Sequence, residues 1–188
     1  MRISLFVLMC FGLLGCLGAP EGVTPVKDFD LDRYLGKWYE VARLDHSFER
    51  GLNGVTAEYS MREDGGVRVM NSGVVTPVEG FHGAEGSNGA EGSEERSEAE
   101  GRAYFVEGTD LGYLKVSFFG PFFGSYIVFE LDTDNYQYAF VAGNNTNYLW
   151  LLARTPEVSD EVMARFIARS SALGFATDEL IFVQHSAD

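Results

Sequence analysis

The sequence predicts an all-β fold: eight antiparallel strands in a sandwich or a barrel, with one C-terminal α-helix and a final short strand. Three observations predict it. From Gly36 onward, short runs alternate apolar with polar residues, the period-2 pattern of half-buried strands. Turn residues separate the runs, at Glu63-Asp64-Gly65-Gly66, Gly120-Pro121 and Gly143-Asn144-Asn145. The first convincing stretch of helical periodicity comes only after the eighth run, so the sheet is complete before the helix begins.

The chain begins with a targeting segment. Arg2 precedes an apolar run from Ile3 to Gly15, shorter than the roughly 20 residues a helix needs to cross a bilayer, so residues 1–15 read as a signal peptide. The run ends Leu13-Leu14-Gly15-Cys16, which resembles the bacterial lipobox, where small residues precede a cysteine that is lipid-modified and becomes the new N-terminus. The alternative is an ordinary signal peptide that happens to contain a cysteine, but an A-x-A-like cleavage site is less evident. Several acyl chains on Cys16 would hold the protein firmly on a membrane, since each buried CH₂ contributes about 0.8 kcal/mol. Leu17 follows, and the absence of Asp there implies, in bacterial lipoproteins, sorting to the outer membrane. Residues 16–28, with Pro20, Gly22 and Pro25, read as lipidated N-terminus and flexible tether, and residues 29–188 as the folded domain.

Composition narrows the function. The 188 residues carry a net charge of −14, from 14 basic and 28 acidic side chains, which excludes nucleic-acid binding as a first reading. Both cysteines, Cys10 and Cys16, precede the folded body, which therefore has no disulfide, thiol nucleophile or cysteine metal site. His46, His82 and His185 are too scattered for a sequence-visible metal motif, so neither metal nor cofactor is expected.

Strands are predicted near 37–45, 54–62, 66–75, 102–108, 112–119, 125–131, 136–143 and 147–154. In the second, Val55, Ala57, Tyr59 and Met61 alternate with Thr56, Glu58, Ser60 and Arg62; in the fifth, Leu114, Val116 and Phe118 alternate with Lys115, Ser117 and Phe119. The first set of each pair faces an apolar interior. Residues 80–101 break the pattern: Gly-Ala-Glu-Gly-Ser occurs twice and is followed by Glu-Glu-Arg-Ser-Glu-Ala-Glu, a low-complexity acidic insert with too little apolar surface to form a core. Thr155-Pro156 stops the eighth strand. Asp160 to Leu173 then places Val162, Met163, Phe166, Ile167 and Leu173 on one helical face, with Ser159 as cap and Gly174 past the end. That stripe docks on the barrel wall; the basic face of Arg165 and Arg169 offers a membrane-contact alternative. Leu180 to Gln184 reads as a last strand added to a barrel edge.

Local motifs carry a family resemblance. Gly36-Lys37-Trp38-Tyr39-Glu40-Val41-Ala42-Arg43 resembles the lipocalin Gly-x-Trp signature; Asp132-Thr133-Asp134-Asn135-Tyr136 is similar to the second signature, with its Tyr out of step; Arg154 stands where the third has its basic residue. Leu44 to Gly51, Lys115 to Phe122 and Tyr148 to Pro156 resemble the bacterial outer-membrane lipoprotein lipocalins, so the likeness spans the mature chain apart from the insert. Physically, Trp38 suits a plug for one barrel end, Arg154 a cation–π partner across its indole, and Gly36 a close approach, which makes these three structural.

The resemblance implies that the strands form an eight-stranded antiparallel up-and-down β-barrel, and such a barrel is either filled by side chains or wide enough for one small ligand. The resemblance implies the second: a lipid-sized cavity lined by Val55, Ala57, Tyr59, Val69, Leu114, Val116, Phe118, Tyr126, Val128, Tyr148 and Trp150, with Val67 also inward and the tyrosine hydroxyls able to orient a head group. It further implies a membrane-tethered protein that binds fatty acids or lysophospholipids in the cell envelope, facing the periplasm. Two other classes stand beside it. An enzyme needs converging acids or a cavity thiol, and the inward faces offer little beyond Glu130, which otherwise is a solvated strand-end carboxylate. A structural or interaction lipoprotein would have a filled barrel and work through exposed Phe119, Phe122 and Phe123, which could also serve a homodimer.

Overall fold

The computed structural model describes residues 17–75 and 95–185. The signal peptide, Cys16 and most of the acidic insert, His82 included, lie outside them. The described chain runs α1 (Leu31–Tyr34), β1 (Gly36–Arg43), β2 (Leu52–Met61), β3 (Val67–Val75), β4 (Arg96–Phe105), β5 (Tyr113–Ser117), β6 (Gly124–Leu131), β7 (Tyr138–Ala142), β8 (Leu149–Ala153), α2 (Asp160–Ala172), a 3₁₀ turn at Thr177–Glu179, and β9 (Ile181–Phe182). The strands pair antiparallel in the order β2-β3-β4-β5-β6-β7-β8-β1, and β1 pairs again with β2, which closes an eight-stranded barrel. No barrel edge is left for β9. It occupies the gap where β1 and β2 diverge, pairing Phe182 with Ala42, while Gln184 O accepts from Gly54 N at 2.9 Å.

Alternation sorts the barrel wall into two cores. Trp38, Tyr59, Val67, Val69, Leu114, Val128, Val141 and Leu152 belong to the interior. Ile127, Phe129, Phe140, Leu151 and Phe166 belong to an outer layer beneath α2. The helix is where the 3.6-residue period places it: Ser159 Oγ accepts from Val162 N at 3.3 Å, Gly174 has φ +83°, and the wholly buried Phe166 ring meets Phe140 with centroids 5.0 Å apart. Arg165 and Arg169 do not form a free basic face. Both pair with Glu130, whose inward alternative is excluded by a bulge between Val128 and Glu130 that turns the carboxylate out beneath the helix.

Two segments differ from expectation. β4 begins at Arg96, six residues earlier than expected, because Arg96, Glu98, Glu100 and Arg102 alternate with Ser97, Ala99, Gly101 and Ala103, and every one of residues 96–103 pairs with β3. The small set faces inward, the charged set faces water, and Arg68 meets Glu100 at 2.8 Å across the ladder. The segment read as a flexible tether is instead laid against the barrel. Gly18 N donates to Ser125 Oγ at 3.0 Å, Val23 is buried against the outer layer, and Val26 exchanges backbone hydrogen bonds with Val128 and Gly112 at 2.9 Å each. Pro and Gly composition suggested looseness, but the free N–H and C=O groups of this stretch find partners on β6 and the β4–β5 connection.

One barrel end is closed by the signature residues. Arg154 lies 3.9 Å above the Trp38 ring centroid and donates to the carbonyls of Lys37, Arg33, Tyr34, Leu35 and Tyr136 at 2.7–3.3 Å. Gly36 is needed for its φ of +92° more than for space, since an added Cβ would stand 3.5 Å from the guanidinium, an ordinary contact. The Tyr136 hydroxyl accepts from Asp30 N at 3.0 Å, which ties the β6–β7 turn to the start of α1.

Candidate ligand-binding site

The opposite end is open. It leads into a cavity of about 520 Å³, within the usual range for small-molecule sites. Of the expected lining residues, Val55, Ala57, Tyr59, Val69, Leu114, Val116, Phe118, Tyr126, Tyr148 and Trp150 line it, as does Val67. Val128 does not: its side chain is wholly buried in the packed interior and never reaches the cavity.

The cavity exists because β4 is small on its inner face. Ser97, Ala99 and Ala103 line it, with Gly73 across the β3 ladder, so one wall of the barrel sends almost nothing inward. Of the tyrosines expected to offer hydroxyls, Tyr59 and Tyr126 are satisfied at the floor together with Tyr34, whereas Tyr148 stacks on Trp150 and Phe48. Tyr126 OH lies 2.7 Å from Tyr34 OH and 2.8 Å from Tyr59 OH, and burial holds all three phenols above their ordinary pKa. They form a neutral base to an apolar chamber.

Polar character comes instead from residues that the sequence reading passed over. Glu40 follows Trp38 by two, so it shares the inward face of β1, and it lines the cavity together with Glu49 from the β1–β2 loop. Arg43 Nη1 donates to Glu40 Oε1 at 2.7 Å, and its Nη2 reaches the carbonyls of Glu49 and Leu52 at 3.0 and 3.2 Å, which fastens the loop across the barrel wall. Trp150 Nε1 donates to Glu49 Oε2 at 3.1 Å. His46 Nε2 stands 3.1 Å from the same oxygen, and the imidazole stacks on Phe48 at 4.2 Å between centroids.

All four ionisable side chains are buried. Burial, and then the neighbouring Glu49 charge, pushes the Glu40 carboxyl well above the usual range; burial likewise raises Glu49. Burial, with Arg43 adding to it, lowers His46 to about 4. At neutral pH the imidazole is therefore uncharged, and burial favours the protonated form of both acids beside the Arg43 guanidinium. The converging acids correct the expectation that only Glu130 could point inward. What would have exposed Glu40 was its parity with Trp38; Glu49 lies in a loop that alternation cannot place.

A lipocalin-like domain model matches residues 29–185. The chain belongs to the lipocalin-like family. It is 58% identical over 182 residues to outer membrane lipoprotein Blc of Vibrio cholerae, covering 96% of this chain and 98% of that protein. It is 47% identical to outer membrane lipoprotein Blc of Escherichia coli strain K12 over 165 residues, covering 88% and 84%. The solved structure of insecticyanin from the tobacco hornworm Manduca sexta shares the fold at 23% identity, with a TM-score of 0.64 over 90% of this chain and 87% of that one. Membership makes the closed barrel, the Trp38–Arg154 plug and the single late helix the features of one lipocalin scaffold.

Proposed function

We propose that this lipocalin binds single-chain amphiphiles, fatty acids or lysophospholipids, and stores or carries them in the cell envelope while lipids on Cys16 hold it to the outer membrane. The observation that carries the reading is the open apolar cavity of about 520 Å³, which a structural lipoprotein with a filled barrel would not have. The names of the Vibrio cholerae and Escherichia coli relatives support the lipid anchor and the outer membrane. Binding rather than turnover is favoured because the mature domain has no thiol, and its buried acids are engaged: Glu40 by Arg43, Glu49 by Trp150. The test is a calorimetric titration of the delipidated domain, from Leu17 onward, with lysophospholipid and with fatty acid. Saturable uptake of one ligand per barrel near micromolar concentration, about −8 kcal/mol, supports the reading; no heat and no saturation would assign the protein to the structural class.

A further inference from the structure

The N-terminal segment has a direction that fixes how the barrel sits on its membrane. It enters at the open end, where Gly18 is bonded to Ser125 at the start of β6. It then descends past Val128 to the Lys27–Leu111 bridge and reaches the closed end where Phe29 N meets Asp110 O at 2.9 Å. Cys16 stands two residues before Gly18, within about 7 Å along an extended chain. The anchor therefore leaves the barrel beside its mouth.

The exposed aromatic groups are at the same place. Phe119 and Phe122, 76% and 81% exposed, sit on the β5–β6 loop that leads straight to Ser125, and Phe48, 50% exposed, sits on the β1–β2 loop. All three border the cavity entrance, and Leu17, beside the anchor, is 41% exposed. Charge at the mouth is divided: loops 118–123 and 143–148 contain no charged residue, and Asp45 and Arg50 of the β1–β2 loop pair at 2.6 Å, whereas the β3–β4 connection, residues 76–95, carries Glu79, Glu85, Glu91, Glu94 and Glu95. The turns of the closed end carry Glu63, Asp64, Glu107, Asp110, Asp132 and Asp134. Behind the rim, Arg102 and Lys115 lie over the Phe123 ring at 5.6 and 5.2 Å.

We propose that the mouth docks on the bilayer that holds the protein's own anchor, with Phe119, Phe122 and Leu17 seated in the interface, so that amphiphiles pass between membrane and cavity without crossing water. This rests on the reading that Cys16 is lipidated. Aromatic rings favour the interfacial zone, and the anchor beside the mouth holds them there.

The test uses the lipidated full-length protein in phosphatidylethanolamine–phosphatidylglycerol vesicles. A polarity-sensitive thiol label is placed through Phe122→Cys at the mouth or Asp134→Cys at the closed end; the only mature cysteine, Cys16, is consumed by the lipid. Brominated acyl chains are expected to quench the mouth label about fivefold more than the other. Equal quenching, or stronger quenching at 134, overturns the proposal. So does shielding of the 122 label that rises with protein concentration in detergent, which would make the rim a contact between two copies. Failure to float with the vesicles refutes the anchor itself, a result separable from orientation. In a second arm, Phe119→Ser/Phe122→Ser should slow ligand uptake from vesicles about tenfold. An equal slowing with monomeric ligand in solution would make the rim merely part of the cavity wall and overturn docking.

Discussion

Replacing Arg154 by Met should cost about 3–5 kcal/mol of stability while leaving the cavity able to bind. The guanidinium donates to five carbonyls and covers the Trp38 indole. The carbonyls of Lys37 and Arg33 are bonded in exposed positions and can turn to water, so they contribute little. Those of Tyr34, Leu35 and Tyr136 are partly buried, and losing a charged donor from each costs about 1 kcal/mol. The cation–π contact adds about 0.5–2 kcal/mol, and Met retains some packing over the ring. Urea unfolding followed by circular dichroism measures the loss. Because Arg154 seals the end remote from the mouth, ligand affinity in native buffer should change less than about threefold. A destabilisation below about 1 kcal/mol, or lost binding at undiminished stability, would refute the reasoning. Arg154→Lys should recover little, since one ammonium cannot span five carbonyls.

Further predictions concern the cavity. Ala99→Phe places a ring where β4 leaves space, so binding should fall at least about tenfold in a calorimetric titration, with stability lowered by about 1–3 kcal/mol from overpacking. Glu40 has a folded-state pKa above its ordinary 4.5, so its contribution is full below that value and fades as pH rises through the raised one; Glu40→Gln should remove this slope from stability measured by urea unfolding across that window. His46 has the opposite sign: its depressed pKa withdraws up to about 3 kcal/mol as pH falls from 6.5 towards 4, and His46→Phe should retain stability over that interval. Phe166→Ala should cost about 3–5 kcal/mol in the same assay, because the ring is wholly buried between α2 and Phe140.

Much of this architecture was legible in residue order. Strict alternation marked β2 and β5, and the Trp38–Arg154 pairing was legible because both residues stand where the chain resembles the lipocalin signatures. β4 was concealed by its own virtue as a cavity wall: Ser, Ala and Gly between charges look like low-complexity linker until β3 supplies the register. Glu130 was misdirected by a one-residue bulge, which period-2 counting cannot foresee. The descent of residues 18–29 along the barrel depends on backbone hydrogen bonds, which composition does not encode. The acid pair was half visible. Glu40 shares the parity of Trp38, whereas Glu49 enters the cavity only because Arg43 draws the β1–β2 loop inward.

The most direct test of an amphiphile inside the barrel uses the two tryptophans, of which Trp150 lines the cavity and Trp38 lies outside it beneath Arg154. A lysophospholipid with a brominated acyl chain should quench Trp150 saturably at one ligand per barrel, and Trp150→Phe should abolish the quenching while the heat of binding persists. Quenching that survives in Trp150→Phe, or that grows without saturation, would place the lipid on the outer surface and contradict the account.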